Sequence, residues 1–554
     1  MASLIFSFFK IPSIFEKVGF EKPTYLMSKK NNIETSNTRK DLDDLFERKK
    51  YLADENRPEA VQKRHAKGGR TARENIADLC DVFTEFGSLI VAAQRGRKSN
   101  KELMEQTPAD GLITGIGSIN GNYFDEEKSK CIVMHYDYTV LAGTQGAFNH
   151  KKTDRMMTVA KTAEKPIIFF VEGGGGRPGD VDFDLISNGG LDVSTFVEFA
   201  RLSGKIPRIA VVSGYCFAGN AAIAGCCDVI IATENTSIGM GGPAMIEGGG
   251  LGKFHPKEVG PTSMQIPNGV IDILVKDEKE AVAITKRYVS YFQGRIKDWS
   301  CSNQEELRTL VPESRKWGYD VRKIIHALSD EDSVLEMRPD FAKNMITAFV
   351  RIEGRPMGLI ANSNRHLGGA IDSDASDKAA RFMQLCDAFG IPLLSFCDTP
   401  GFMVGPDFEK TGLVRHTSRM FIVGASLSVP ILTVVLRKAY GLGCMAMAGG
   451  SLHESFFTVA WPTGEFGAMG LEGAVKLGFR RELENTLDEE EKKALYEELV
   501  DKMYERGKAI SAASYLEFDE VIDPKDTRKW IVTALESIPK ESFKNKGKRF
   551  IDSW

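Results

Sequence analysis

The sequence of 554 residues lacks several patterns that would place a protein in a common class. Its nine cysteines form no C-x-x-C pair and most lie in apolar or small-residue runs, which predicts reduced thiols and no zinc or other metal site. No uninterrupted apolar run is long enough to span a bilayer, so we expect no membrane association. The net charge of −4 supplies no basic field for nucleic acid. These absences predict a cytoplasmic location, or the mitochondrial matrix in a eukaryote.

Three frequent catalytic signatures are also missing from the sequence. They are G-x-x-x-x-G-K-[ST], which cradles phosphates, H-E-x-x-H, which binds zinc, and G-x-S-x-G, which presents a serine nucleophile. No side chain therefore stands out as a nucleophile or a metal ligand. Any chemistry must come from other features, and glycine, at 53 residues, is plentiful.

Short β-rich runs alternate with helical stretches from Gly111 onward. The runs 112–116 and 131–136 are examples. Strands that alternate with helices indicate βαβ units, so the sequence predicts a layered α/β fold.

An internal repeat is the most informative feature of this pattern. Three segments of the first half recur in the second half, 233, 226 and 223 residues later, at Ile119 and Ile352, Pro166 and Pro392, and Pro207 and Pro430. At both proline pairs, an apolar strand follows the proline and a glycine-rich turn follows the strand. We interpret the chain as two copies of one fold, at about 105–320 and 325–530.

The predicted boundaries follow from this repeat. Residues 1–40 are expected to be a disordered extension, or partly absent if Met27 is the true start. Residues 41–320 are predicted to form an N-terminal domain and residues 321–554 a C-terminal domain.

Two sequence-equivalent segments, 213–224 and 436–448, can supply chemistry without side chains. In each, small residues open a helix directly after a buried strand. The first N–H groups of a helix have no partner inside it, and the helix dipole adds positive potential there. Such a turn can form an oxyanion hole for a carbonyl that becomes an enolate. The glycine turn at 173–180 and its counterpart at 398–405 lie next to these segments in the predicted fold.

A set of motifs spread over about 65–515 resembles one enzyme family. The motifs are Gly69-Arg70-Thr71-Ala72-Arg73-Glu74, Asp137-Tyr138-Thr139-Val140, Cys386-Asp387-Ala388-Phe389-Gly390-Ile391-Pro392, Asp398-Thr399-Pro400-Gly401-Phe402, Gly412-Leu413-Val414-Arg415-His416, Arg437-Lys438-Ala439-Tyr440-Gly441 and Ala460-Trp461-Pro462-Thr463-Gly464-Glu465. Together they are similar to the carboxyltransferase (β) subunits of biotin-dependent acyl-CoA carboxylases, which include the propionyl-CoA and methylcrotonyl-CoA enzymes.

The resemblance implies two domains of the ClpP/crotonase type in tandem, built from ββα repeats. It implies transfer of a carboxyl group from carboxybiotin to the α-carbon, or the vinylogous γ-carbon, of an acyl-CoA through an enolate. The biotin ureido anion would take the α-proton, which explains why no side-chain base is visible. Acyl-CoA would bind the first domain and biotin would enter from the second domain of a neighbouring subunit.

The family's roles carry over to particular residues of this chain. The implied catalytic donors are the main-chain N–H groups of Gly219, Asn220, Leu442 and Gly443, the first pair for the thioester enolate and the second for the ureido oxygen. The implied substrate and biotin pockets contain Gly174, Gly175, Ala218, Gly401, Phe402, Tyr440, Gly441 and Met445.

The partners are also implied by the resemblance. The chain has no Met-Lys-Met biotin attachment motif and no recognisable ATP-binding signature. We therefore expect biotin on a separate carrier protein, and ATP use by a partner biotin carboxylase subunit. The chain itself is expected to form a homo-oligomer, in this family often a hexamer.

Several positions depart from the family pattern. Asn220 and Leu442 stand where glycine is usual, and Met445 stands where the propionyl-CoA enzymes have an aspartate that tunes acyl size. The alternatives are a biotin-dependent acyl-CoA decarboxylase subunit, a stand-alone crotonase-type hydratase or hydrolase, and an inactive scaffold. A hydratase would need a carboxylate near the thioester, for which Glu172 and Asp180 are the candidates in the first half.

Overall fold

The computed structural model describes residues 39–177, 179–182, 192–315, 317–539 and 550–554. Residues 1–38, which hold nearly all of the predicted extension, lie outside these ranges. The strands are β1 Val82–Phe86, β2 Leu112–Ser118, β3 Lys130–Tyr136, β4 Ile167–Phe170, β5 Arg208–Val212, β6 Tyr215–Phe217, β7 Val229–Thr233, β8 Ser237–Gly239, β9 Ile273–Val275, β10 Leu335–Met337, β11 Met345–Ile352, β12 Arg355–Asn362, β13 Leu393–Thr399, β14 Ile431–Tyr440, β15 Phe457–Ala460, β16 Glu465–Gly467 and β17 Glu520–Val521.

Helices connect most of these strands. They are α1 Lys40–Lys50, α2 Pro58–His65, α3 Ala72–Leu79, α4 Asn100–Gln106, α5 Glu126–Ser129, α6 Ala147–Ala163, α7 Thr195–Ala200, α8 Gly219–Gly225, α9 Pro243–Gly248, α10 Thr262–Gln265, α11 Glu278–Gln293, α12 Leu307–Leu310, α13 Val321–Leu328, α14 Ser373–Ala388, α15 Pro406–Glu409, α16 Leu413–Gly424, α17 Gly441–Met447, α18 Leu471–Gly478, α19 Arg480–Asn485, α20 Glu489–Gly507, α21 Ala509–Ala513 and α22 Thr527–Ser537. None of the helices in the described ranges combines the length and apolar character needed to cross a bilayer. The predicted α/β class is confirmed.

Two mixed sheets share one topology. The first sheet has the order β1-β2-β3-β4-β5-β7-β9, and the second has the order β10-β11-β12-β13-β14-β15-β17. In both, the first two strand pairs are antiparallel and the remaining pairs are parallel. The strands predicted after the paired prolines are β4 with β13 and β5 with β14. The sheets thus repeat one another, while the domain boundary at 320/321 stays a prediction.

Both sheets are covered on both faces, which explains their uninterrupted apolar strands. Every residue of β4, β5 and β7 is buried. Successive side chains of a strand point to opposite faces. Ile168 of β4 packs in one hydrophobic core with Ile76 of α3 and Tyr288 of α11, whereas Ile167 packs in another with Met156 of α6.

The core that contains Ile168 continues into the second sheet, where it includes Leu393 of β13. Helix α11 lies at this junction, because Tyr291 stacks on Phe349 of β11 with ring centroids 5.2 Å apart. A buried ion pair also crosses it, with 2.7 Å between Arg338 Nε and Asp272 Oδ1. The two halves are therefore joined by one continuous core.

Two buried lysines occupy equivalent positions in the halves. Lys152 of α6 and Lys378 of α14 lie 226 residues apart, the same offset as Pro166 and Pro392. Lys152 donates to the carbonyls of Ala109 and Leu112, and Lys378 donates to those of Arg338 and Phe341, each at 2.8 Å. Each lysine thus satisfies carbonyls of the loop that precedes the second strand of its sheet. Burial lowers the pKa of Lys152 to about 8 and that of Lys378 to about 7.

The low pKa of Lys378 predicts a pH dependence of stability. Unfolding returns Lys378 to its ordinary pKa of 10.5, so between about pH 7 and 10.5 the unfolded chain binds more protons and stability rises with pH. Lys378→Met should destabilise the protein, because it removes the donor to the buried carbonyl of Phe341. The substitution should also reduce the slope of the free energy of unfolding against pH by up to about 1.4 kcal/mol per pH unit. Denaturant unfolding of both proteins at pH 7, 8 and 9 measures the difference, and identical slopes would contradict the prediction.

Candidate active site

The first candidate turn lies where β6 ends and α8 begins. Ala218 links them with φ 53° and ψ −123°, a backbone conformation that costs a non-glycine residue about 1–3 kcal/mol. The carbonyl of Ala218 accepts the N–H of Ala222 at 2.9 Å, which starts the helix. In the described part of the chain, the main-chain N–H groups of Gly219 and Asn220 have no acceptor. Two donors without an acceptor in the described structure therefore lie at the start of α8, of which Gly219 is partly exposed and Asn220 is buried.

A glycine loop packs directly against this turn. The loop follows β4 and runs over 173–177, and Gly175 has φ 86°. A Cβ atom built on Gly175 would lie 2.6 Å from Ala218 Cβ and 3.5 Å from Gly219 N. Gly174 is exposed beside it. The structure thus brings the predicted residues Gly174, Gly175, Ala218 and Gly219 together, and we call this loop and turn the first half-site.

The side chain of Asn220 does not enter the space at the first turn of α8. Its Oδ1 accepts the N–H of Gly175 at 2.9 Å, and its Nδ2 donates to the carbonyl of Gly143 at 3.4 Å. Asn220 is completely buried. Asn220, which departs from the family pattern, therefore holds the glycine loop with its side chain. Its own N–H has no acceptor among the described residues. No sequence motif marks this contact.

Asn220→Leu is expected to lower the free energy of unfolding by about 2 kcal/mol or more, because the substitution leaves the Gly175 N–H and the Gly143 carbonyl buried without partners. Asn268→Leu is a matched control. That exposed asparagine accepts from Val270 N–H and donates to Gln265, yet water can replace both bonds. Denaturant unfolding should show a small change for Asn268→Leu. Equal losses for the two variants would count against the role of Asn220 in holding the loop.

The second candidate turn lies where β14 runs into α17. Gly441, with φ 56°, occupies the place that Ala218 has in the first half. The N–H groups of Leu442 and Gly443 find no acceptor among the described residues. The side chains of Leu442 and Met445 are 60% and 36% exposed. Two donors and an apolar rim thus lie at the start of α17.

Gly443 packs on the loop that follows β13. A Cβ atom on Gly443 would lie 2.7 Å from Gly401 Cα and 3.1 Å from Phe402 N. Tyr440 is buried and its hydroxyl donates to Glu465 Oε2 at 2.9 Å. Burial raises the pKa of both groups, so Tyr440 keeps its proton. The predicted residues Gly401, Phe402, Tyr440, Gly441 and Gly443 are thus neighbours, and we call them, with Leu442 and Met445, the second half-site.

The loops of the two half-sites are held by matching main-chain bonds. Gln145 N–H donates to Gly175 O at 2.8 Å, and Ile371 N–H donates to Gly401 O at 3.0 Å. In the first half, Arg177 N–H donates to Gln145 O at 2.9 Å. In the second half, Met403 N–H donates to Ile371 O at 2.8 Å. The duplication therefore extends from the sheets to the backbone of the candidate site.

The two carboxylates considered for a hydratase are held in buried ion pairs. Glu172 accepts from Arg64 at 2.9 and 2.7 Å, and Asp180 accepts from Arg177 Nε at 2.8 Å and from Ala147 N–H at 3.0 Å. Both carboxylates are nearly inaccessible to solvent. In the described ranges, no group of three or more His, Cys, Asp or Glu side chains is placed to bind a metal ion. The site therefore offers main-chain donors rather than a side-chain base.

An α/β fold with two duplicated glycine turns, whose helix-start amides find no acceptor among the described residues, is an arrangement of the kind that can stabilise negative charge on carbonyl oxygens. The sequence matches the family described as carboxyl transferase domain over residues 63–550. The chain belongs to this family, the biotin-dependent acyl-CoA carboxyltransferases.

Named relatives cover nearly the whole chain. The 12S subunit of methylmalonyl-CoA carboxyltransferase from Propionibacterium freudenreichii subsp. shermanii is 32% identical over 524 residues, which are 92% of this chain and 96% of the relative. The propionyl-CoA carboxylase β chain of Roseobacter denitrificans is 32% identical over 496 residues, 87% of this chain and 93% of the relative. The α subunit of methylmalonyl-CoA decarboxylase from Veillonella parvula is 31% identical over 489 residues, which are 86% of this chain and 91% of the relative.

Two solved structures are similar to the fold. A single-chain, multi-domain long-chain acyl-CoA carboxylase is 53% identical with a TM-score of 0.85, and the match covers 90% of this chain and 49% of the longer protein. The chain therefore spans about half the length of that carboxylase. The transcarboxylase 12S subunit, solved as a hexamer with methylmalonyl-CoA bound, has a TM-score of 0.79 and 31% identity over 94% of this chain and all of the 12S chain.

Proposed function

We propose that the chain is the carboxyltransferase component of a biotin-dependent acyl-CoA carboxylase. The observation that carries the proposal is the pair of half-sites, one in each copy of the repeat. Each has two N–H groups at the start of a helix that find no acceptor in the described part of the chain. Two carbonyl-type oxygens that gain negative charge need two such sites. One is the thioester oxygen of acyl-CoA, and the other is the ureido oxygen of biotin.

The first half-site is assigned to the acyl-CoA. The N–H groups of Gly219 and Asn220 would bind the thioester oxygen and stabilise it as the α-carbon loses a proton. Gly174 is exposed next to them and has no side chain, so the loop leaves room for the acyl-CoA. Because Glu172 and Asp180 are engaged in ion pairs, we assign the α-proton to a group outside the chain.

The second half-site is assigned to the ureido oxygen, since the N–H groups of Leu442 and Gly443 lack an acceptor among the described residues and Leu442 is exposed. Biotin on a partner protein would supply the activated carboxyl group and accept the α-proton. The N–H groups of Leu442 and Gly443 would hold the ureido ring, and Gly401 and Phe402 would line the pocket around it. ATP would be used by a separate biotin carboxylase subunit.

Assembly is part of the proposal. We assign a crotonase-like domain to 41–320 and another to 321–554. The 12S structure was solved as a hexamer. Copies of this chain would likewise form a hexamer, in which we place the first half-site of one copy beside the second half-site of a neighbour. The duplicated sheets support the domain assignment.

The acyl group is proposed to be long. Met445 is an exposed apolar residue at the position where the propionyl-CoA enzymes have an aspartate, and in the proposed assembly it would border the acyl-CoA bound at the first half-site of a neighbouring copy. The 53% identity to a long-chain acyl-CoA carboxylase supports the same substrate class. Rates with acetyl-, propionyl-, methylcrotonyl- and palmitoyl-CoA test it, and a preference for the short substrates would contradict it.

The second candidate is a decarboxylase component, because methylmalonyl-CoA decarboxylase α subunits are among the relatives. It uses the same two half-sites in the opposite direction. Reconstitution with an ATP-dependent biotin carboxylase and its biotinylated carrier separates the two functions, since ATP-driven carboxylation of an acyl-CoA supports the carboxylase.

The basic test needs only the purified chain, free biotin and a series of 2-carboxyacyl-CoA thioesters that runs from malonyl- and methylmalonyl-CoA to a long-chain member. Biotin-dependent decarboxylation is expected. Turnover of an acyl-CoA that does not require biotin would instead indicate a hydratase or hydrolase. No turnover with any of these substrates would favour an inactive scaffold.

A further inference from the structure

We propose that Gln145 is a positioning residue that clamps the strained Ala218–Gly219 turn and so aims the N–H donors of the first half-site. The proposal rests on the carboxyltransferase function proposed above. No motif in the sequence marks Gln145. It lies in the segment between β3 and α6 and is only 3% exposed.

Gln145 contacts both parts of the half-site. Its main chain bonds the glycine loop through Gly175 O and the N–H of Arg177, at 2.8 and 2.9 Å. Its side-chain Oε1 lies against the Cα of Gly219, because a Cβ atom built there would come within 2.2 Å of it. One residue therefore fixes the loop and the first residue of α8 relative to each other.

The amide of Gln145 is itself held by a rigid neighbour. Its Nε2 donates to the hydroxyl of Tyr136 at 3.1 Å, and this bond is buried. Tyr136 is 1% exposed and its ring stacks on Phe169 with centroids 5.2 Å apart. The orientation that places Oε1 on Gly219 is thus built into the core of the first sheet.

The second half-site acts as an internal comparison. Ile371 makes the same two main-chain bonds as Gln145, but its side chain is apolar, so the loop itself does not need the amide. The linking residue is Ala218 in the first half and Gly441 in the second, at φ 53° and 56°. Only the alanine is strained there, because glycine adopts positive φ freely. The amide occurs in the half whose turn must be held.

This clamp has a specific consequence for catalysis. If it is lost, the 218–219 peptide can rotate toward a relaxed conformation and turn the donors of Gly219 and Asn220 away from the thioester oxygen. The donors matter most when charge develops on that oxygen. Loss of the clamp should therefore lower kcat and leave the KM for the acyl-CoA nearly unchanged.

The test uses the full chain with free biotin and the 2-carboxyacyl-CoA of that series that the wild-type chain decarboxylates fastest. Gln145→Met, which keeps the length of the side chain without its amide, is expected to lower kcat by about 10- to 100-fold with KM changed less than about threefold. Ala218→Gly removes the strain, so adding it to Gln145→Met should restore most of the lost rate. Should Gln145→Met fail to fold, Tyr136→Phe removes just the hydroxyl that holds the amide and should give a smaller change of the same sign.

Hydrogen exchange gives a readout that does not depend on turnover. The N–H of Ala222 is bonded to the carbonyl of Ala218 at 2.9 Å and should exchange faster in Gln145→Met, and slower again once Ala218→Gly is added. Gln304→Met is the control, since it deletes a side-chain amide that bonds Ser302 and Ala327 at a distant surface. It should change neither kcat nor exchange at Ala222.

The outcomes separate the clamp from the proposed function. An inactive wild-type chain would contradict the proposed function. Hydrogen exchange at the N–H of Ala222 would still test whether Gln145 holds the turn. Unchanged kcat and unchanged exchange in Gln145→Met would overturn the clamp. An equal loss of rate with and without Ala218→Gly would overturn it as well, because a merely structural amide would not depend on strain at Ala218.

Discussion

Gly219→Pro is expected to lower kcat for biotin-dependent turnover by about two to three orders of magnitude, the effect of removing one oxyanion donor from a preorganised site. Proline has no N–H, so this variant deletes one of the two donors at the start of α8. Gly219 has no positive φ and is the first residue of the helix, a position where proline is readily accommodated. The fold should therefore persist, and size-exclusion chromatography should show the wild-type assembly.

The contact between Gly219 and Gln145 dictates the control for this prediction. Any Cβ at position 219 would approach Gln145 Oε1 to 2.2 Å, so part of the loss in Gly219→Pro comes from displacing that side chain. Gly219→Ala brings the same Cβ and keeps the N–H. The difference in kcat between the alanine and proline variants measures the donor alone. Full activity of Gly219→Pro would remove Gly219 from the site.

The repeat was predictable because its signals are local. A proline followed by an apolar run predicts a buried strand wherever it occurs, and the pairs Pro166 with Pro392 and Pro207 with Pro430 place β4, β5, β13 and β14 correctly. The glycine turns were predictable for the same reason, since small residues after a buried strand indicate a close backbone approach. The structure brings the residues of each predicted pocket together, and their catalytic roles stay predictions.

The supports of the site could not be predicted. In the sequence, Asn220 is only a departure from the family pattern, yet its side chain turns into the loop at Gly143 and Gly175. Gln145 carried no signal at all, because its partner Gly219 is 74 residues away in the sequence. Such contacts depend on how two loops meet in space. One clue was available: aligning the halves puts Ala218 opposite Gly441, which marks a non-glycine residue at a turn that favours glycine.

The second large effect is expected at Gly443. Gly443→Ala would place a Cβ 2.7 Å from Gly401 Cα and 2.8 Å from Gly401 C, a contact that main-chain atoms cannot avoid without moving. Either α17 or the loop after β13 must shift, which displaces the Leu442 and Gly443 donors from the biotin side of the site. Biotin-dependent turnover should fall by about 100-fold, as when an oxyanion donor is lost. Overpacking should also cost about 1–3 kcal/mol of stability.

Acyl-CoA binding should survive in Gly443→Ala, because the first half-site is built from other loops. Equilibrium binding of the acyl-CoA, measured beside turnover, therefore separates the two half-sites. Gly473→Ala is the matched control, since it lies in helix α18 and its Cβ would meet nothing closer than Met469 Cε at 3.6 Å. If Gly443→Ala and Gly473→Ala retain equal biotin-dependent activity, the contact between Gly443 and Gly401 does not position a catalytic donor. If Gly443→Ala loses both turnover and acyl-CoA binding, the assignment of one ligand to each half-site is wrong.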